Sequence, residues 1–245
     1  MENTVWKFSF FIAILALISC NNKDEHSLGA FRIDIATVIP VGESAYSLLL
    51  DNGKRLWPAA SDKKYIPSDN QRVFVNYTTL SKEKDGYDHY VKINDIWDIL
   101  TKETILLTAM NKDSIGNDPV KVNAVWVGGD YLNIDFMFNY GAIRPHAINM
   151  VINPLKTTPS PPDAIELEFR HNAYGSTSTR LYEGFVCFDL KPFRVSVADS
   201  MAFSIVVKDW DKEKTYNVVY RYNQAALQNT IAETPIPVIS SNEYY

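Results

Sequence analysis

Strict two-residue alternation of apolar and polar side chains is the feature that most constrains this chain. In residues 131–138, Leu132, Ile134, Phe136 and Phe138 fall on one face, and Tyr131, Asn133, Asp135 and Met137 on the other. In residues 164–170, Ile165, Leu167 and Phe169 alternate with Glu166, Glu168 and Arg170. Successive side chains of a strand point to opposite faces, so the pattern predicts antiparallel strands with one buried and one wet face. Residues 122–127, 146–152, 183–190, 202–208 and 215–222 read as five further strands. Seven short strands within about 110 residues predict an antiparallel β-sandwich of two packed sheets.

The first half carries the same chemistry in a tighter arrangement. Runs at 31–41, 46–51, 54–57, 72–77 and 90–96 are strand-like and are separated by turn residues. Asn52-Gly53 between apolar runs predicts a two-residue type I′ hairpin, which needs positive φ at both positions. Asp85-Gly86 marks a further turn. Five short strands suit a small closed barrel, because closure removes exposed strand edges. Residues 104–120 read as the connection, with Gly116-Asn117-Asp118-Pro119 as loop chemistry and a domain boundary near residue 110. Pro154, Pro159, Pro161 and Pro162 make residues 153–163 a stiff crossover loop. The resulting class is all-β: a barrel over 28–110, a sandwich over 111–230 and a tail over 231–245.

Ahead of the barrel, residues 8–18 form an apolar run broken only by Ser9. As a helix of eleven residues it would span roughly 16 Å, well short of the ~30 Å hydrocarbon core. Its length suits a signal-peptide core. The run ends Leu17-Ile18-Ser19-Cys20, which resembles the lipobox of bacterial lipoproteins. The small Ser19 precedes the scissile bond, and the Cys20 thiol stands ready for a diacylglyceryl group. This predicts a signal peptide over 1–19 and a lipidated leash over 20–27. Lys23, Asp24 and Glu25 resemble the export tag of surface lipoproteins in certain Gram-negative anaerobes. The expected location is therefore the outer membrane, lipid-anchored through palmitate-type chains. The cell surface and the periplasmic leaflet are both open.

Composition narrows the function by exclusion. A net charge of −5 supplies no basic footprint, so no nucleic-acid partner is expected. There are two cysteines. With Cys20 lipidated, Cys187 has no disulfide partner and reads as a small buried hydrophobe in a strand. His26, His89, His146 and His171 show no metal-ligand spacing, and no cofactor or metal is expected. His146 and His171 are expected to meet across the sandwich in a structural hydrogen bond. No nucleophile elbow, zincin motif or phosphate loop occurs, so the chain reads as a non-enzyme. Trp210, in Asp209-Trp210-Asp211-Lys212, sits in a predicted hairpin turn, where a core tryptophan is unusual. It is the candidate contact surface, because aromatic faces combine apolar area with polar tips.

Several of these segments fall in one recognisable order. They are residues 73–77, 100–102, 116–119, 131–136, 146–151, 166–173 and 184–190. Together they resemble the NigD-like lipoproteins over nearly all of the mature chain. The resemblance implies an N-terminal OB-type barrel followed by a C-terminal β-sandwich, with no catalytic motif to carry over. Three functions follow as expectations. The first is a non-catalytic binding or envelope-assembly protein, held on the membrane by Cys20 and meeting a protein or glycan at the cell surface. The second is a bacteriocin-associated or immunity lipoprotein. The third is an enzyme with a site assembled from loops.

Overall fold

The computed structural model describes residues 31–141, 144–157 and 161–222. Cys20, Lys23, Asp24 and Glu25 lie outside them, as do residues 223–230 and the tail over 231–245.

Five strands close the first domain: β1 (Arg32–Pro40), β2 (Tyr46–Leu50), β3 (Arg55–Ser61), β4 (Arg72–Ser81) and β5 (His89–Asp98). Their order around the barrel is β1-β2-β3-β5-β4, with β3 and β5 parallel and the other pairs antiparallel. Alternate residues fill the interior. Ala36, Val38, Leu48, Leu56, Val73, Val75, Val91 and Ile93 are all fully shielded from solvent. Each Val, Leu or Ile among them contributes about 1.5–3 kcal/mol on burial, which lets a small barrel stand without a disulfide.

The turns differ from expectation in an informative way. Among non-glycine residues of the described chain, positive φ occurs at Asn70, Asp85 and Tyr174, and so not at Asn52. The Gly53 N–H donates to Leu50 O, and the Leu50 N–H to Lys54 O, both at 2.9 Å. Asp51-Asn52-Gly53 is thus a three-residue loop, a type I turn followed by left-handed Gly53 at φ 83°. The type I′ geometry instead belongs to Asp85-Gly86, where both φ values are positive and Lys84 and Tyr87 exchange hydrogen bonds.

The second domain is the two-sheet sandwich. All seven expected strands form: β8 (Lys121–Gly128), β9 (Tyr131–Asn139), β10 (Ala147–Ile152), β11 (Ile165–Asn172), β12 (Leu181–Asp189), β13 (Ser200–Lys208) and β14 (Glu213–Arg221). Two short strands join them, β6 (Leu100–Lys102) and β7 (Thr104–Leu106). One sheet runs β14-β13-β11-β10-β7 and the other β6-β12-β9-β8. The pairs β10–β7, β11–β13 and β12–β6 are parallel, so the sheets are mixed rather than wholly antiparallel. The linker thus gives three residues to each sheet, switching sheets at Glu103. Barrel pairing ends at Asp98, earlier than a boundary near 110, because these six residues hydrogen-bond to the sandwich.

Leu132, Ile134 and Phe136 of β9 face Met150, Leu167, Phe169, Phe203 and Ile205 across the sandwich core. The outer face of β9 is not wet at its start. Tyr131 and Asn133 are 3% and 0% exposed, because the barrel covers them. Ile35 and Phe74 of the barrel cluster there with Tyr131, Cys187, Trp126 and Phe185 of the sandwich.

A candidate binding groove on the barrel

The ladder between β2 and β3 is short. It pairs Leu48 with Leu56 and Leu49 with Arg55, and stops. Antiparallel pairs exchange hydrogen bonds at every second position. Leu50/Lys54 and Leu48/Leu56 therefore predict Tyr46/Pro58 as the next bonded pair. Pro58 has no N–H to donate, so the ladder cannot continue there. A register irregularity between Pro58 and Ala60, where β3 pairs with β5, bends the strand further.

Where the strands part, a groove of about 490 Å3 opens. Tyr46, Trp57, Pro58, Ala60 and Tyr65 line it, with Glu43 and Lys64 also bordering it. Tyr46 and Tyr65 meet edge to face, ring centroids 5.4 Å apart. The Tyr65 hydroxyl donates to Asp98 at 2.8 Å, and burial together with that carboxylate raises its pKa. Tyr46 is 8% exposed, and its buried hydroxyl has no hydrogen-bond partner among the described residues. Trp57 stacks at a tilt on Tyr87, 5.1 Å away. The groove offers aromatic and small apolar surfaces, and the buried Tyr46 hydroxyl is not exposed to it.

Three residues that bear reactive chemistry, His146, His171 and Cys187, are held elsewhere. His146, just before β10, and His171 of β11 place Nδ1 and Nε2 2.8 Å apart. They meet on neighbouring strands of one sheet, not across the sandwich. Phe138 and Tyr140 wall them in at 5.0–5.6 Å. Burial lowers the His171 pKa to about 4, His146 adds to the shift and Asp118 opposes it. Burial lowers His146 as well. Both rings are then neutral at pH 7, whereas a general base works best with a pKa near the operating pH. The Cys187 thiol is fully buried and donates to Asn133 Oδ1 at 3.0 Å. Burial pushes its pKa up to about 12, so it is no nucleophile near neutrality. Among the described residues no group of three or more His, Cys, Asp or Glu is arranged to hold a metal ion. No helix there is long and apolar enough to cross a membrane.

Trp210 lies in the turn between β13 and β14, 42% exposed, some way along the chain from the groove. None of the groove residues stands out by a motif. The signal that finds them is register: counting outward from the Asp51-Asn52-Gly53 loop sets Tyr46 opposite a proline.

Comparison with known proteins agrees with this architecture. The NigD-like N-terminal OB domain matches residues 35–99, and the NigD-like C-terminal beta sandwich domain matches residues 103–220. No curated protein matches the sequence. A crystal structure of a protein of unknown function from Bacteroides vulgatus is 30% identical, with a TM-score of 0.68 over 83% of this chain and 97% of that one. A protein from Parabacteroides distasonis is 34% identical, with a TM-score of 0.68 over 79% of this chain and 95% of that one. A NigD-like immunity protein from Bacteroides caccae shares the fold at 19% identity, with a TM-score of 0.58 over 76% and 90% of the two chains. With both domains matched in order and relatives at 30% and 34% identity, the chain belongs to the NigD-like family.

Proposed function

We propose that this chain is a non-catalytic binding protein of the outer membrane, anchored by lipid on Cys20. The observation that carries the binding role is the barrel groove, with its aromatic and small apolar lining. Supporting it, the His146–His171 pair is self-bonded and the Cys187 thiol is buried, which leaves these three groups unsuited to turnover. The lipobox-like Leu17-Ile18-Ser19-Cys20 supports the anchor, and Lys23, Asp24 and Glu25 support display at the cell surface. Two acyl chains suffice for stable anchoring without a membrane-spanning helix.

Labelled palmitate is expected to enter the wild-type chain and to be absent from Cys20→Ala. A soluble form lacking residues 1–20 is expected to sediment with isolated cell envelopes, and its groove-filled Ala60→Trp variant to remain in the supernatant. Unlabelled wild type would overturn the anchor, and failure to sediment would overturn the binding role. Protease treatment of intact cells separates surface display, where the chain is cleaved, from the periplasmic leaflet, where it is protected.

A second reading is immunity or envelope defence in a bacteriocin system. It is favoured by the description of the Bacteroides caccae structure as an immunity protein. Expression in bacteriocin-sensitive cells would then protect them, and unchanged killing would remove this reading.

A further inference from the structure

We infer that the end of the barrel where β1 begins seats on a lipid surface, and that a pocket there takes a zwitterionic headgroup, a phosphate beside a primary ammonium. The inference rests on the reading of Cys20 as a lipid anchor. The pocket's volume of about 340 Å3 lies within the roughly 300–1,000 Å3 range of small-molecule sites. Three parts of the barrel build it. Arg32 comes from the start of β1, and Lys54 from the turn before β3. Lys82, Glu83 and Asp88 come from the connection between β4 and β5. Asp88 accepts the Arg55 N–H at 2.7 Å, which fixes that connection against β3. Arg32, Lys54 and Lys82 are all exposed, so a headgroup can reach them.

Both signs of charge in one pocket argue for a zwitterion. A lone anion would meet Glu83 and Asp88, and a lone cation would meet Arg32, Lys54 and Lys82. Asp34 lies near Arg32 and Lys54 and evens the balance further, so a polyanion finds no cationic excess here. A headgroup with a phosphate and a primary ammonium matches each sign in turn, and its ammonium brings the N–H donors that carboxylates accept.

Position argues for a membrane as the source of that headgroup. Eleven residues separate Cys20 from Arg32. Covalent geometry caps the reach of that segment at roughly 40 Å. A tether so short holds the barrel at the surface at an effective concentration on the order of millimolar. A contact too weak to retain the chain by itself is therefore populated once Cys20 is anchored. Phe31, beside Arg32, is 62% exposed and offers a large apolar side chain where the tether meets the barrel. Tyr87, next to Asp88, lies 6.2 Å from the Tyr90 ring and 5.6 Å from the Arg55 guanidinium. Tyrosines with a cation alongside suit a membrane interface, where one end of the side chain is apolar and the other wet. Seating this end on lipid turns the far ends of β1 and β3, which border the groove, away from the membrane.

The test reconstitutes the mature chain, lipidated on Cys20, in phosphatidylcholine vesicles that contain phosphatidylethanolamine, phosphatidylglycerol or neither. Lys84→Cys carries a dye on the connection between β4 and β5, and Thr177→Cys carries one in the sandwich, ahead of β12. Cys187 is buried and Cys20 is capped, so each variant labels once. A trace of lipid spin-labelled at the headgroup quenches a dye that lies against the surface. Strong quenching at position 84 and weak quenching at position 177 are expected with phosphatidylethanolamine. Adding Lys54→Gln should lower the docked-to-undocked ratio about fivefold, the effect of one cation near a lipid surface. Phe31→Ser should lower it at least about threefold. Both side chains are exposed, so the melting temperature should not change. Equal quenching at 84 and 177, or quenching at 84 that survives both substitutions, overturns the inference and leaves the anchor standing. Quenching that phosphatidylglycerol or phosphatidylcholine alone supports equally well overturns the headgroup assignment. A chain that takes up no labelled palmitate and does not stay with the vesicles removes the anchor and the inference together.

Discussion

The Arg72 guanidinium, with no exposure to solvent, holds the Asp51 carboxylate at 2.7 Å where the barrel meets the sandwich. Burial opposes the charge on Arg72, but Asp51 prevails and raises its pKa, so the cation persists. Its Nη1 donates to Thr37 at 3.0 Å, and Nη2 donates to Asn133 of β9 at 3.3 Å. Asn133 donates in turn to Asp51 and accepts from Cys187. The Tyr131 ring lies 4.7 Å from the guanidinium. One buried cation thus ties a barrel strand, a barrel turn and both central strands of one sandwich sheet.

Removing the anion from this node leaves a buried charge unmatched. Asp51→Ala is expected to destabilise the protein by about 3–5 kcal/mol. Arg72→Met combined with Asp51→Ala should recover a substantial part of that loss, since no charge is then buried alone. Urea unfolding of the two variants checks the order. A double variant no more stable than Asp51→Ala would refute it.

Gly128, at the end of β8, faces the same node. A Cβ there would lie 1.9 Å from Asp51 Oδ2 and 2.8 Å from Asn133 Nδ2. Because no favourable rotamer relieves a backbone-fixed atom, Gly128→Ala should cost about 1–3 kcal/mol through overpacking. Thermal unfolding reads the loss directly. Gly53, with nothing near its Cβ position, serves as the contrast: its cost is the left-handed φ of 83° alone.

Acid should weaken the fold through His171. Its pKa falls from the usual 6.5 to about 4 on folding. Between those values the unfolded chain binds the proton and the folded one does not, so stability rises with pH across that window. Stability from this group is fully present above about 6.5, declines as pH falls toward 4, and levels off below. The loss is on the order of 3 kcal/mol. Denaturant titrations at pH 7 and pH 4.5 should differ clearly for the wild type. The difference should shrink for His171→Phe, which suits a site walled by Phe138 and Tyr140.

The Cys187 thiol should be silent in the native state. In the Cys20→Ala protein, a thiol-reactive dye is expected to label nothing until denaturant is added, and then one group per chain, as burial and a pKa near 12 require. Rapid labelling of the folded protein would contradict the structure.

Trp210 offers the reverse case. With 42% of its surface exposed in a turn, Trp210→Ala should change stability by no more than about 0.5 kcal/mol. If the turn meets a partner, envelope sedimentation weakens in this variant without loss of folding. Unchanged sedimentation assigns contact to the groove alone.

Sequence by itself determined the all-β class, the barrel-then-sandwich order and part of the sandwich core. Period-two alternation is local, and it fixes which face of a strand is apolar wherever that strand lies. Leu132, Ile134 and Phe136 were therefore readable as core, and Cys187 as a buried thiol. Only the tertiary structure decided what covers the opposite faces. Asn133 and Tyr131 read as wet, yet the barrel buries them, through contacts such as Asn133 with Asp51, 82 positions apart. The three-residue strands β6 and β7 carry too little pattern to announce themselves, and exist because β12 and β10 present edges for them. The groove arises the same way. Pro58 is visible in the sequence, but its effect needs β2 across from it and a barrel closed behind both.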